Sequence, residues 1–202
     1  MPELPEVQTT VNGINLVARG LTIRDVWTDL AKKSIARADY RETIKYAPFF
    51  AKFRAAVIGA KVVSAERRAK NILINLSSGD TILIHMKMTG HIMYGSYKLD
   101  AKKNEWLPAK HEKNEALRDP FNRFLHFVIT FTNGKQLVLS DVRKFAKVTL
   151  VSTKEAHTSK HLDSLCPEIM PHNFTWTHFK EPLSKNKSGK IKTVLMHQTV
   201  LA

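Results

Sequence analysis

The chain opens MPELPEV, and its first reactive group is the backbone amine that Pro2 carries once Met1 is removed. An α-amino group titrates near neutral pH, at about 7.7–8.0, so part of it is unprotonated and nucleophilic. A secondary amine attacking a sugar carbonyl or C1′ carbon forms an iminium, and Glu3 next to it can transfer protons to the opened sugar or to a leaving base. The same residues also read as a plain helix start. Pro2 and Pro5 lack N–H groups that a first turn cannot satisfy, and Glu3 and Glu6 suit the positive end of the helix dipole.

Three other stretches carry chemistry. In ERRAKNIL, Arg67, Arg68 and Lys70 lead into an apolar strand and can grip phosphates from a rigid edge, or simply form a solvated basic turn. In HMKMTGH, Met88 precedes Thr89-Gly90 at a predicted tight turn, where a flexible apolar side chain can wedge into a base stack or fill a core. In SDVRKFAK, an extended backbone points Arg143 and Phe145 one way and Lys144 the other. An arginine with an aromatic can fill a gap in a duplex while Lys144 meets the backbone; an ordinary edge strand is the alternative.

The elements that must position these groups follow from pattern. Leu4, Val7, Val11, Ile14 and Ala18 recur at helical spacing and predict a helix over 3–19, stopped by Gly20. A second helix is expected around 46–58. The pairs NILINL–SSGD–TILIHM and HFVITF–TNGK–QLVLSD read as hairpins, and the run of short strands predicts a two-sheet antiparallel sandwich or barrel. Residues 98–123, polar and Lys-rich without period, read as a long surface loop inserted in that domain. The expected division is a β-domain over 1–151, a linker over 152–160 and a helical part over 161–202, with two helical stretches around the basic hinge SKNKSGK.

Composition adds a partner class. Of 202 residues, 32 are Lys or Arg and 18 are Asp or Glu, a net charge of +14, which favours a polyanion and most simply nucleic acid. A single cysteine, Cys166, excludes an internal disulfide or a multi-thiolate metal site, so no metal or cofactor is expected. No stretch reaches the roughly 20 apolar residues of a membrane span and none reads as a signal peptide, which predicts a soluble protein of a reducing compartment.

Taken together, these residues resemble the formamidopyrimidine-DNA glycosylase and endonuclease VIII family, nearest its formamidopyrimidine branch. MPELPEV is similar to the family's N-terminal signature, RRAKNILINL to its RRGKYLLL strand, HMKMTGHI to HLGMSG, DVRKFA to DPRRFG, LCPEIM to LGPEPL, and KIKTVLMHQTVLA to IKxxLLDQxxVAG. The resemblance implies an α+β, mainly β fold: an N-terminal helix packed on a two-sheet antiparallel sandwich, then a helical domain holding an incomplete helix–two-turn–helix. It implies a DNA glycosylase with AP lyase activity, acting as a monomer on double-stranded DNA that contains an oxidised purine or an abasic site, in a bacterial cytoplasm at the nucleoid. Pro2 would be the nucleophile, Glu3 the general acid/base, Glu6 a supporting acid and Lys70 a phosphate ligand beside the lesion. Met88, Arg143 and Phe145 would fill the space left by the everted base, with Arg143 facing the orphaned cytosine. Lys144, His126 (the histidine retained from a KHxH stretch that here reads RFLH) and Lys192 would contact DNA.

The departures are specific. Ala69 and Ala146 stand where the family has Gly, Val142 where it has Pro, and Phe124 where it has His. The chain reaches Ala202 before the family's GIGN segment and four-cysteine zinc finger. A relative that binds damaged DNA but turns over poorly is therefore the alternative expectation.

Overall fold

The computed structural model describes residues 2–35, 37–163, 165, 168, 175–185, 189–195 and 200. Helix α1 (Leu4–Ala18) is followed by strand β1 (Ile23–Thr28) and helix α2 (Ala47–Val57). Strands β2 (Val62–Arg68), β3 (Asn71–Leu76), β4 (Asp80–His85), β5 (His91–Gly95), β6 (Tyr97–Asp100) and β7 (Glu105–Pro108) come next. Strands β8 (Leu125–Phe131), β9 (Gln136–Ser140) and β10 (Lys147–Ser152) complete the β-rich part, before helices α3 (Trp176–Ser184) and α4 (Ile191–Leu195).

Two four-stranded antiparallel sheets, in the orders β1-β8-β9-β5 and β10-β4-β3-β2, face each other. The expected fold class is what the structure shows: a sandwich rather than a closed barrel, with a helix on it and helices after it. Between the sheets lie Ile72, Ile74, Ile82 and Ile84 from one side and Phe127, Ile129, Phe131 and Leu139 from the other. Both predicted hairpins form, as β3–β4 and β8–β9.

Helix α1 buries Val7, Val11, Ile14 and Ala18, the stripe its spacing predicts. It lies along β2, the edge strand of the second sheet, and polar groups pair the two elements end to end. Gly20 N–H donates to the Val62 carbonyl at 2.8 Å. Asn15 brackets Ala65, accepting from its N–H at 2.7 Å and donating to its carbonyl at 2.8 Å. Arg67 Nε donates to Gln8 Oε1 at 3.1 Å, and Lys70 Nζ meets Glu3 Oε2 at 2.6 Å. The spans agree: the 17 steps from Glu3 to Gly20 rise about 25 Å at helical pitch, and the eight steps from Val62 to Lys70 span about 26 Å as extended chain. An edge that would otherwise present unpaired backbone groups is thereby covered.

The segment 98–123 is not the unstructured surface loop its composition suggests. It carries the β6–β7 hairpin and two short 3₁₀ turns, Glu115–Arg118 and Pro120–Asn122. Tyr97 and Leu117 are buried with Val128 and Val138, and Trp106 packs edge-on against Trp27. Three apolar anchors at irregular spacing cover the outer face of the first sheet, which no periodicity announces. The stretch 152–160 is likewise more than a linker. It forms a 3₁₀ helix, Thr153–Thr158, whose Ala156 is buried with Leu73, Leu83 and Leu162 on the outer face of the second sheet.

Phe53 anchors α2 in the core, fully buried, with its ring edge-on to Phe127 at 5.7 Å. Phe53→Ala is expected to lower the unfolding free energy by about 3–5 kcal/mol, measured by urea titration.

Candidate active site and nucleic-acid interface

One end of the sandwich collects the residues singled out by sequence. His85 closes β4 and pairs with Asn71 on one side and Lys147 on the other, while His91 opens β5 opposite Ser140. The β2–β3 turn carrying Lys70, the β4–β5 connection carrying Met88 and the β9–β10 connection carrying Arg143 and Phe145 therefore all lie at this end. The last two connections each pass from one sheet to the other.

The amine end of α1 arrives here because of its register on β2. Pro2 is half-buried just before the helix. Lys70 is nearly buried, 9% exposed, and its ammonium is held at 2.6 Å from the Glu3 carboxylate, which is itself half exposed. Glu6 accepts from the Glu3 N–H at 3.0 Å, so its carboxylate caps the helix and fixes the backbone of Glu3.

Arg67 and Arg68 do not form the phosphate grip that ERRAK suggested. Glu168 takes both: its carboxylate lies 2.5 Å from Arg67 Nη2 and 3.3 Å from Arg68 Nη1, and it accepts the Ala69 N–H as well. Arg68 also donates to the Leu165 carbonyl at 3.0 Å. Sequence reasoning missed Glu168 as a site-shaping group, although LCPEIM marked its position; Cys166, Pro167, Ile169 and Met170 lie outside the described residues.

Met88 is 45% exposed in a turn that Lys87 enters at φ +60° and Gly90 closes, donating to the Met86 carbonyl at 3.1 Å. It is not core. Asp141, 1% exposed, organises the neighbouring connection. Its carboxylate accepts from Ala146 N–H at 2.7 Å, from Arg143 N–H at 3.2 Å, and from the Thr89 hydroxyl. Thr89 and Asp141 thus tie the Met88 turn to the Arg143 turn. The segment is a turn, not the extended strand expected, because Lys144 adopts φ +56°. Arg143 and Phe145 still share a side, with the guanidinium 4.5 Å from the ring centroid. Phe145 is 42% exposed, and Lys144 reaches outward to within 3.9 Å of Asp29.

A model of the formamidopyrimidine-DNA glycosylase N-terminal domain matches residues 1–148. The chain belongs to the formamidopyrimidine-DNA glycosylase family. A formamidopyrimidine-DNA glycosylase of Roseobacter denitrificans is 30% identical over 203 residues, covering all of this chain and 62% of its own length. Among solved structures, the Lactococcus lactis Fpg in complex with abasic-site DNA superposes with a TM-score of 0.73 at 23% identity, over the whole chain and 62% of the Fpg. MutM in complex with DNA containing carbocyclic 8-oxo-G gives 0.73 at 24% identity over the whole of this chain. The chain therefore spans about three fifths of the length of these relatives.

Against the family pattern, Ala69 sits at φ +50°, a backbone region that the family's Gly enters freely and that strains an alanine. The hydrogen bond from Ala69 N–H to Glu168 holds it there. Ala146 replaces the other Gly without strain, its methyl buried in the core.

His126 does not reach the surface as a DNA ligand would. It is 7% exposed, its Nδ1 lies 2.9 Å from both oxygens of Asp29, and its Nε2 is buried with no protein partner. The buried ring lines a wall of the surface beside Asp29 and Lys144. Lys192 is exposed on α4. Among the described residues no group of three or more His, Cys, Asp or Glu side chains could hold a metal ion, and no helix is long and apolar enough to cross a membrane.

Two measurements follow from this geometry. A Cβ on Gly90 would lie 2.3 Å from the Met86 carbonyl oxygen, a backbone atom that cannot swing away. Gly90→Ala is therefore expected to cost about 1–3 kcal/mol in a urea titration. His85 is held down to about 4, first by burial and then by Lys87, Lys147 and Lys70. Its Nδ1 accepts the Lys87 N–H at 3.0 Å, which needs the neutral ring. The folded value lies below the unfolded one of about 6.5, so this contribution to stability is complete above pH 6.5 and is lost as pH falls towards 4. The thermal midpoint is expected to fall across that window and to fall less in His85→Gln.

Proposed function

We propose that this chain acts on double-stranded DNA carrying an oxidised purine or an abasic site, as a glycosylase with AP lyase activity. The observation that supports this best is the placement of the Glu3 carboxylate against the Lys70 ammonium, 2.6 Å apart, beside Pro2 at the tip of α1. The DNA lesions named in the structures of family relatives, an abasic site and 8-oxo-G, are of the same classes.

In this reading Met1 is removed and the Pro2 nitrogen attacks C1′ of a nucleotide turned out of the duplex. The bond from C1′ to the base breaks, its electron pair leaves with the base, and the base takes a proton from water. Glu3, held in place by Lys70, accepts the proton released from the attacking amine and passes it to the ring oxygen as the sugar opens. The resulting iminium acidifies the C2′ hydrogen. Its loss expels the 3′ phosphate, a second elimination expels the 5′ phosphate, and hydrolysis frees Pro2.

Lys70, which holds Glu3, also meets a phosphate beside the lesion in this reading. Met88, Arg143 and Phe145 enter the space vacated by the damaged nucleotide, with Arg143 held against Phe145 so that a planar cation and a ring advance together. Lys144 and Lys192 contribute phosphate contacts, and a net charge of +14 provides the long-range attraction. The sandwich over 1–151 is the catalytic part and the helices after residue 161 are the second DNA-holding part.

Borohydride reduction during incubation with an abasic duplex is expected to trap a covalent adduct of the untagged, Met-processed protein. Pro2→Gly should weaken the adduct and an N-terminal extension should abolish it. Glu3→Gln should slow base release by about 10²–10⁴-fold, with duplex binding retained. No adduct from the processed wild type would overturn the enzymatic reading, and salt-sensitive binding without nicking would leave a damaged-DNA-binding role.

A further inference from the structure

The turn from Asp141 to Ala146 leaves β9 in one sheet and enters β10 in the other. Asp141 fixes its amides from within, yet Lys144 still occupies the left-handed region, at φ +56°. A residue with a Cβ is strained there and persists only if its surroundings hold it. The carbonyl that follows this strained φ is not left to water.

Lys45 reaches it. Lys45 Nζ donates to the Lys144 carbonyl oxygen at 2.7 Å, and the whole side chain is only 6% exposed. The ammonium also lies over the Tyr40 ring, 4.0 Å from its centroid. The backbone around it is pinned to the second sheet: Ile44 N–H donates to the Val148 carbonyl at 3.0 Å, and Thr149 donates its hydroxyl proton to the Glu42 carbonyl. On the other side the Lys45 carbonyl accepts from Lys32 N–H at 2.9 Å. Burial pulls the amine down to about 8, with Asp141 opposing that shift and Lys147 and Arg37 adding to it. An amine donates in either protonation state, so the contact does not depend on charge. A long, flexible lysine is costly to bury, and here its ammonium is given to one backbone oxygen and one ring face.

We propose that Lys45 is a positioning residue for the duplex-entering turn: its grip on the Lys144 carbonyl presets Arg143 against Phe145, so that both enter DNA without first having to order. The idea rests on the reading that this turn enters the duplex. It adds to that reading a residue about 100 positions away in the chain that touches neither DNA nor the reacting atoms.

Two variants and two measurements test it. In the free protein, Lys45→Met is expected to lower amide-exchange protection of residues 143–146 about tenfold, with the β3–β4 hairpin unchanged. Lys45→Arg, which keeps a donor, should restore it. Unchanged protection in the turn, or an equal loss throughout the sandwich, overturns the proposal. In the second measurement, 2-aminopurine beside an abasic site reports insertion into the duplex. Wild type should give a fluorescence change that Lys45→Met reaches only at about tenfold higher protein concentration, and Lys45→Arg near the wild-type range. An equal response from wild type and Lys45→Met overturns the positioning role. No response even from wild type overturns the duplex-entering reading itself, and the exchange result then separates that failure from the support Lys45 gives the turn.

Discussion

The register of α1 along the edge of β2 is the constraint on which the amine end depends. A helix lying on a sheet can slide or rotate unless specific groups stop it. Rotation is set by Val7, Val11, Ile14 and Ala18, whose burial leaves one face inward. Sliding is stopped by polar pairs, because Asn15 satisfies both backbone groups of Ala65 and shifting it would leave them unpaired. The near-equal lengths of the helix and strand then carry the register to the far end, where Glu3 meets Lys70. A terminal proline amine is useful to chemistry only if its position is as well defined as that of a core residue. Here it inherits that definition from an asparagine about four fifths of the way along the helix.

The other half of the site depends on a single buried carboxylate. Asp141 collects two backbone amides of its own turn and the hydroxyl of Thr89, which belongs to the other connection between the sheets. Buried carboxylates need donors to offset lost hydration, and those donors come from the two turns that must act together. Met88 and the Arg143–Phe145 pair are therefore parts of one rigid end, not of two independent loops. Glu168 does the same beside Lys70, taking up Arg67, Arg68 and the strained Ala69.

Much of this architecture was legible in the residues. The apolar stripe of α1, the two hairpins and the turn at Thr89-Gly90 follow from period and turn chemistry, which are local and survive translation into structure. The motif residues Pro2, Glu3, Lys70, Met88, Arg143 and Phe145 were marked by type and order. The errors share a cause. The segment 98–123 looks like a loop in sequence because its Trp106 and Leu117, and Tyr97 just before it, have no period; only the outer face of the first sheet makes them neighbours. Arg67 and Arg68 read as phosphate-gripping residues or a solvated turn because Glu168 is about 100 residues away, and the burial of His126 does not show in the sequence because Asp29 is equally remote.

By itself the sequence determined the first helix and the two central hairpins, the sign of the charge that favours a polyanion, and the family to which the chain belongs. These are properties of residue type and short-range order. Tertiary structure alone decided which cations remain available to a phosphate, which histidine is buried, and that Lys45 reaches the Lys144 carbonyl. Each of those outcomes depends on a partner distant in the chain, and burial changes what a charged group does only after folding has chosen its neighbours.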